Sequence, residues 1–128
     1  MIVKHNKTRE GWTGRTLTLE KEYAVIGIIE EPYEGSVTIR NDQGTPAIYS
    51  LALFEVINNT IPPDWKIEFR GKNDFTLSPA AFKAVKKEFW SDYFESDPET
   101  KAKAAQIVDE EIKKINSFHE NGNGNTVD

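Results

Sequence analysis

Few residues of this chain have types suited to chemistry: two histidines, His5 and His119, and short carboxylate runs at Glu30-Glu31 and Asp109-Glu110-Glu111. Imidazole acid–base work or metal ligation needs a histidine held in one tautomer by a second group. His5 stands in a short basic stretch and His119 at the expected end of a helix, so both read as solvated surface residues. Two carboxylates can divide acid and base roles when a cleft holds them about 5–10 Å apart. Neighbouring acids in a loop, or on a helix laced with ion pairs, read instead as solvation. The chain has no Cys, which excludes a thiol nucleophile, a disulfide framework and a cysteine zinc site. No phosphate-binding glycine loop, GxSxG elbow, HExxH or EF-hand pattern occurs. These residues predict no catalytic centre, no metal site and no cofactor.

Recognition chemistry is better supplied. The candidate aromatics are Tyr33, Tyr49, Trp65 and Trp90, with Trp12 near the N-terminus. Trp65 shares an alternating face with Ile67 and Phe69 and reads as core, and Trp90 lies on a helical apolar stripe. Tyr33 stands in a Pro/Gly loop, Glu30-Glu31-Pro32-Tyr33-Glu34-Gly35, whose acids hold it at the surface. The expected binding residues are therefore Glu30, Glu31, Tyr33, Glu34 and Tyr49, a set suited to a protein with a basic surface. An alternative set, Lys4, Lys7 and Arg9 with Trp12, would let an N-terminal arm touch nucleic acid weakly and in a salt-dependent way.

The 128 residues carry 16 Lys+Arg against 21 Asp+Glu, a net charge of −5. That balance disfavours holding duplex nucleic acid by phosphate neutralisation. It is also uneven: +3 over residues 1–15, −5 over 16–60, zero over 61–78 and −3 over 79–128. The exclusion is thus firm for the acidic body and weaker for the basic start. The longest apolar run, Ala24–Ile29, is too short to span a bilayer. The start, Met1–Lys7, lacks the apolar stretch of a signal peptide, so a cytoplasmic location is expected.

The elements that must position these residues read as short strands followed by helices. Residues 22–30 are rich in β-branched side chains and apolar on both faces, so something must cover each side. Gly27 within that run predicts a bulge or bend. Ser36–Arg40 alternates cleanly, Asn41-Asp42-Gln43-Gly44 has the composition of a turn closed by glycine, and Pro46–Ser50 returns. Leu51-Ala52-Leu53 predicts a single helical turn before a strand at Phe54–Ile57. Trp65–Arg70 alternates strictly, with Phe75–Leu77 as its short partner. Ser78 and Pro79 predict the start of a helix over Phe82, Val85, Phe89 and Tyr93. Ser96-Asp97-Pro98-Glu99 opens a second one, with a capping box from Ser96 to Glu99, running to about Phe118. Glu99–Lys103, Asp109–Lys113 and Glu110–Lys114 are spaced as ion pairs on it, each contributing about 0.2–0.5 kcal/mol. The helices are expected to pack on strand 22–30. Residues 120–128 are too polar and Gly-rich to pack and read as a disordered tail.

Leu17-Thr18-x-x-Lys21-x-Tyr23-x-Val25, followed by Asn41-Asp42-x-Gly44, Tyr49 and Leu53-Phe54-Glu55, resembles a pattern of small bacterial and phage proteins. In that group L-T-x-G-K-x-Y-x-V and D-D-x-G-x-x-x-x-Y-x-x-x-L-F-E bracket an SH3-like barrel. The likeness covers residues 16–58, and Glu20 stands where that group has glycine. It implies a small SH3-like antiparallel β-barrel; joined to the reading of the other segments, the expected fold is α+β, with a basic arm over 1–15, that barrel with an extra hairpin over 16–77, and two helices packed on it over 78–119. Some members of that group resemble immunity proteins that neutralise a toxin, an analogy of fold alone. The expected function is a non-catalytic protein-interaction module. The alternatives are a nucleic-acid-associated barrel and an enzyme with an unrecognised carboxylate site.

Overall fold

The computed structural model describes residues 1–6, 16–31, 34–83, 90, 93–94 and 97–125, with Arg70, Lys83 and 119–125 described by backbone alone. Its elements are β1 (Ile2–His5), β2 (Glu22–Glu31), β3 (Glu34–Arg40), β4 (Pro46–Ser50), a 3-10 turn (Leu51–Leu53), β5 (Phe54–Asn58), β6 (Trp65–Gly71), β7 (Asp74–Pro79), a second 3-10 turn (Ala80–Lys83) and a helix α1 (Pro98–Asn125). The strands form one antiparallel sheet in the order β4-β3-β2-β1-β5, and the β6–β7 hairpin joins it through β2. No helix among the described residues is long and apolar enough to cross a membrane.

Strand β2 organises the sheet because its ten residues are more than any one neighbour can pair. One edge runs along β3; the other takes β1 at residues 22–24 and β7 at residues 28–30. Between Val25 and Gly27 the β2–β3 register shifts, so the chain bends where glycine is expected to bend it. Here the bulge needs close approach: a Cβ on Gly27 would lie 3.2 Å from the Thr38 hydroxyl. Val25 and Ile26 are both fully buried, so the strand is covered on its two sides as its composition requires. Part of the cover comes from α1, which packs on β2 and buries Ala104, Val108 and Ile115. Arg40 of β3 reaches the same helix, donating to Asp109 Oδ1 at 3.2 Å.

The expected barrel followed by two helices is not what forms. The sheet is open, since among the described residues no ladder joins β4 to β5 at the ends of the strand order. The Leu51–Leu53 turn, capped by the Ser50 hydroxyl, delivers β5 to β1. Among the described residues α1 is the single continuous C-terminal helix where a pair is expected; Trp90, Tyr93 and Phe94 are helical too, and 84–89, 91–92 and 95–96 lie outside the described residues. Ser78 and Pro79, which read as a helix start, instead finish β7, with Pro79 opposite Trp65. Capping composition loses there to the ladder that Trp65, Ile67 and Phe69 impose. Val85 and Phe89 lie outside the described residues; Trp90 does not, and packs on Phe82 at 5.3 Å between ring centroids and on Tyr93 at 5.8 Å.

The cap of α1 is Asp97, whose Oδ1 accepts from the Thr100 amide at 2.9 Å; Ser96 of the expected capping box lies outside the described residues. The helix continues beyond Phe118 to Asn125, through much of the expected tail, and 126–128 lie outside the described residues. The Glu99–Lys103 and Asp109–Lys113 pairs form at 3.9 and 3.1 Å. The third pairing differs: Lys114 bonds Glu111 at 2.9 Å, while Glu110 accepts from Gln106.

The N-terminal arm also needs correction. Residues 2–5 form β1, lodged between β2 and β5. His5, expected at the surface, is fully buried, with Nδ1 3.0 Å from the Leu53 carbonyl oxygen and its ring against Phe54. Four residues are too few to show a strand period, so only their partners reveal the element.

The residues of the family-like pattern act together as a latch. Asp42 Oδ1 accepts from Lys21 Nζ and the Tyr23 hydroxyl, both at 2.8 Å, and Oδ2 accepts from the Thr18 hydroxyl at 2.6 Å. Tyr49 accepts from Asn41 Nδ2 at 3.1 Å and exchanges a bond with Thr16 at 2.8 Å. Asn41 also closes the β3–β4 turn, in which Gly44 takes φ +79°. Glu20, standing where the pattern has glycine, has φ +68° at the third position of the Thr18–Lys21 turn. The turn keeps a left-handed shape that glycine enters without strain. Glu20→Gly is therefore expected to stabilise the protein by about 0.5–1 kcal/mol, the relieved strain exceeding the added unfolded-state entropy and the exposed Lys4 ion pair. Urea unfolding of the two proteins checks this, and a less stable variant refutes it.

Candidate functional site

The surface that gathers recognition chemistry is the outer end of β2, β3, β7 and β6. Glu31 and Glu34 stand directly opposite each other where β2 ends and β3 begins. One position inward, Gly35, Glu30, Phe75 and Phe69 form a row across the four strands. Residues directly opposite share a face with Cβ atoms about 4.5–5.5 Å apart, so Glu30 and the two rings share a face here, while the Glu31–Glu34 pair points to the other. The rings of Phe69 and Phe75 meet at 5.9 Å between centroids, tilted by 57°.

The next row on the same face, two residues inward, is Val37, Ile28, Leu77 and Ile67. Burial falls along it, from fully buried Val37 in β3 to Ile67 in β6, which is 50% exposed. Phe69 is 69% exposed, the most open of the large apolar side chains among the described residues. Glu30, Glu31 and Glu34 are exposed too. The core face of the sheet thus runs out into solvent at this corner, with acids beside it.

Of the residues expected to bind, Glu30, Glu31 and Glu34 meet in this corner, and Tyr33 lies outside the described residues. Tyr49 does not belong to the corner: its hydroxyl is engaged in the latch and its ring packs edge-on against Phe54 at 6.4 Å. Of the alternative set, Lys4 lies in β1 and pairs with Glu20 at 3.5 Å. Lys7, Arg9 and Trp12 lie outside the described residues. Phe69, Phe75 and Ile67 are not among the expected site residues, because alternation groups Ile67 and Phe69 with Trp65 but cannot say where cover stops. Trp65 is buried; two and four residues later the same face is bare.

A concavity of about 590 Å³ lies between Pro62-Pro63-Asp64 and the Glu111–Phe118 part of α1. Glu111 is only 4% exposed there, in contrast to the solvated acid its sequence neighbours suggest. Its partner Lys114, held above the usual lysine range chiefly by the Glu111 hydrogen bond, also reaches Asp64 at 3.7 Å. This group of charges ties the 61–64 loop to the helix. Among the described residues no three His, Cys, Asp or Glu side chains come together as a metal site.

Compared with models of protein families, with curated proteins and with solved structures, the chain matches none of them.

Proposed function

We propose that this protein is a non-catalytic interaction module that docks a basic protein partner on the corner formed by Glu30, Glu31, Glu34, Phe75 and Phe69. The observation that carries this reading is the row Glu30–Phe75–Phe69, where one carboxylate and two apolar rings share a face at the open edge of the sheet, with Glu31 and Glu34 one position further out on the opposite face. Exposed aromatics supply contact area at small entropic cost, and rim acids select and steer a basic partner.

The test uses immobilised peptides that alternate Lys or Arg with aliphatic and aromatic residues, with acidic peptides of matched hydropathy as controls. The protein is expected to bind basic members in a salt-sensitive way. Glu30→Lys/Glu31→Lys is expected to weaken that binding by about tenfold or more, and Phe69→Ser by a similar factor. Equal binding to acidic and basic peptides, or no effect of either variant, would overturn the reading.

A further inference from the structure

We infer that β6 is a self-pairing edge through which two copies of this chain join into one continuous sheet. This goes beyond the docking corner and does not depend on it. Among the described strands β6 pairs with β7 alone, so its outer edge carries no ladder. Such an edge, with Ile67 50% and Phe69 69% exposed, is a template for another strand.

The order of residues in β6 says which strand fits. Place a two-fold axis through Ile67, perpendicular to the sheet, so that two copies of β6 run antiparallel. Ile67 then faces Ile67 of the partner subunit, and Trp65 faces the partner subunit's Phe69. Lys66 faces the partner subunit's Glu68, and by symmetry Glu68 faces the partner subunit's Lys66. The apolar face meets an apolar face, and the polar face gains two opposite-charge cross-strand pairs. Neighbouring registers fail. Centring the axis on Lys66 or on Glu68 sets that residue against its own copy, charge against like charge. Centring it on Phe69 sets Glu68 against the partner's Arg70 but leaves Trp65 and Lys66 beyond the end of the partner's strand and Ile67 against the partner's Gly71. One register therefore satisfies both faces of the strand, and it is self-complementary.

A single strand-to-strand contact falls below the roughly 1,200 Å² of a standard interface, so the dimer is reversible and depends on concentration. Sedimentation equilibrium of the full chain is expected to show the 14.6 kDa monomer giving way to a species of twice that mass as concentration rises. Lys66→Glu and Glu68→Lys each replace two attractive pairs by two repulsive ones. Each is expected to weaken self-association by about tenfold or more, with thermal unfolding serving as the control for folding. Mixing these two variants in equal amounts is the decisive arm. Lys66→Glu leaves β6 with acids at 66 and 68, and Glu68→Lys leaves it with bases at both. The two strands are then complementary at both 66–68 pairs, and association is expected to return as a heterodimer. Ile48 is exposed on β4, at the far end of the strand order, so Ile48→Ala leaves the dimer unchanged. A wild-type chain that stays monomeric up to several hundred micromolar overturns the inference. So does a mixture that associates no better than its two components.

Discussion

Ile26→Ala is expected to lower the free energy of unfolding by about 3–4 kcal/mol, the range for deleting a fully buried aliphatic side chain where the surroundings cannot collapse. Ile26 is fully buried at the β2 bulge, at the centre of the sheet. It is also on the strand against which α1 packs. Collapse is blocked there: β2 is tied by ladders on both edges, and the Thr38 side chain already crowds Gly27. Ile48→Ala on edge strand β4 is the control, since Ile48 is 61% exposed and should change stability by less than about 0.5 kcal/mol. Urea unfolding measures both. A loss below about 1 kcal/mol at Ile26 would mean that β2 is not covered on both sides.

Asp42→Ala is expected to cost about 2–3 kcal/mol at neutral pH, because three side-chain hydrogen bonds converge on one carboxylate and one donor is charged. The bond from Lys21, then that from Thr18, draws the Asp42 carboxyl down to about 2 from its usual 3.8. The sign follows from that direction. A carboxyl with a depressed folded-state pKa contributes its full stabilisation above about pH 4 and loses it as pH falls through about 2. With the side chain 24% exposed, we expect the gap between wild type and variant to narrow by about 1–2 kcal/mol over that interval. Unfolding curves taken at pH 5, 3.5 and 2 test this. A gap that stays constant shows that the carboxylate does not hold the latch.

The latch also explains what the family-like pattern means in this chain. Thr18, Lys21, Tyr23, Asp42 and Tyr49 are spaced along the sequence so that one hairpin turn bonds the segment leading into β2. That role is architectural, which is why the pattern says little about activity. Glu20 keeps the left-handed turn without the glycine, so the backbone geometry is set by its bonds to β1, from the Glu20 amide to the His5 carbonyl and from the His5 amide to the Lys21 carbonyl.

Part of the candidate site was legible and part was not, for one reason. The acids at 30, 31 and 34 announce themselves, because a charged loop has nowhere to go but the surface. Phe69 and Phe75 do not, because an alternating strand reports which residues share a face and not what lies over it. Trp65 and Phe69 read alike in sequence and end buried and bare respectively.

Local chemistry determined most of the elements: the β-branched composition of β2, the glycine at its bend, the Asn–Gly turn after β3, the single turn at 51–53 and the alternation of β6. Those signals act over two to seven residues and survive any arrangement of the rest. Tertiary pairing decided the remainder. It made a strand of residues 2–5, buried His5, left the sheet open between β4 and β5, and extended β7 over a serine and proline that looked like a helix start. Each of these outcomes depends on which edge or face is already occupied by residues distant in the chain. Backbone hydrogen bonds and apolar cover are shared between partners, so one partner's sequence cannot specify them.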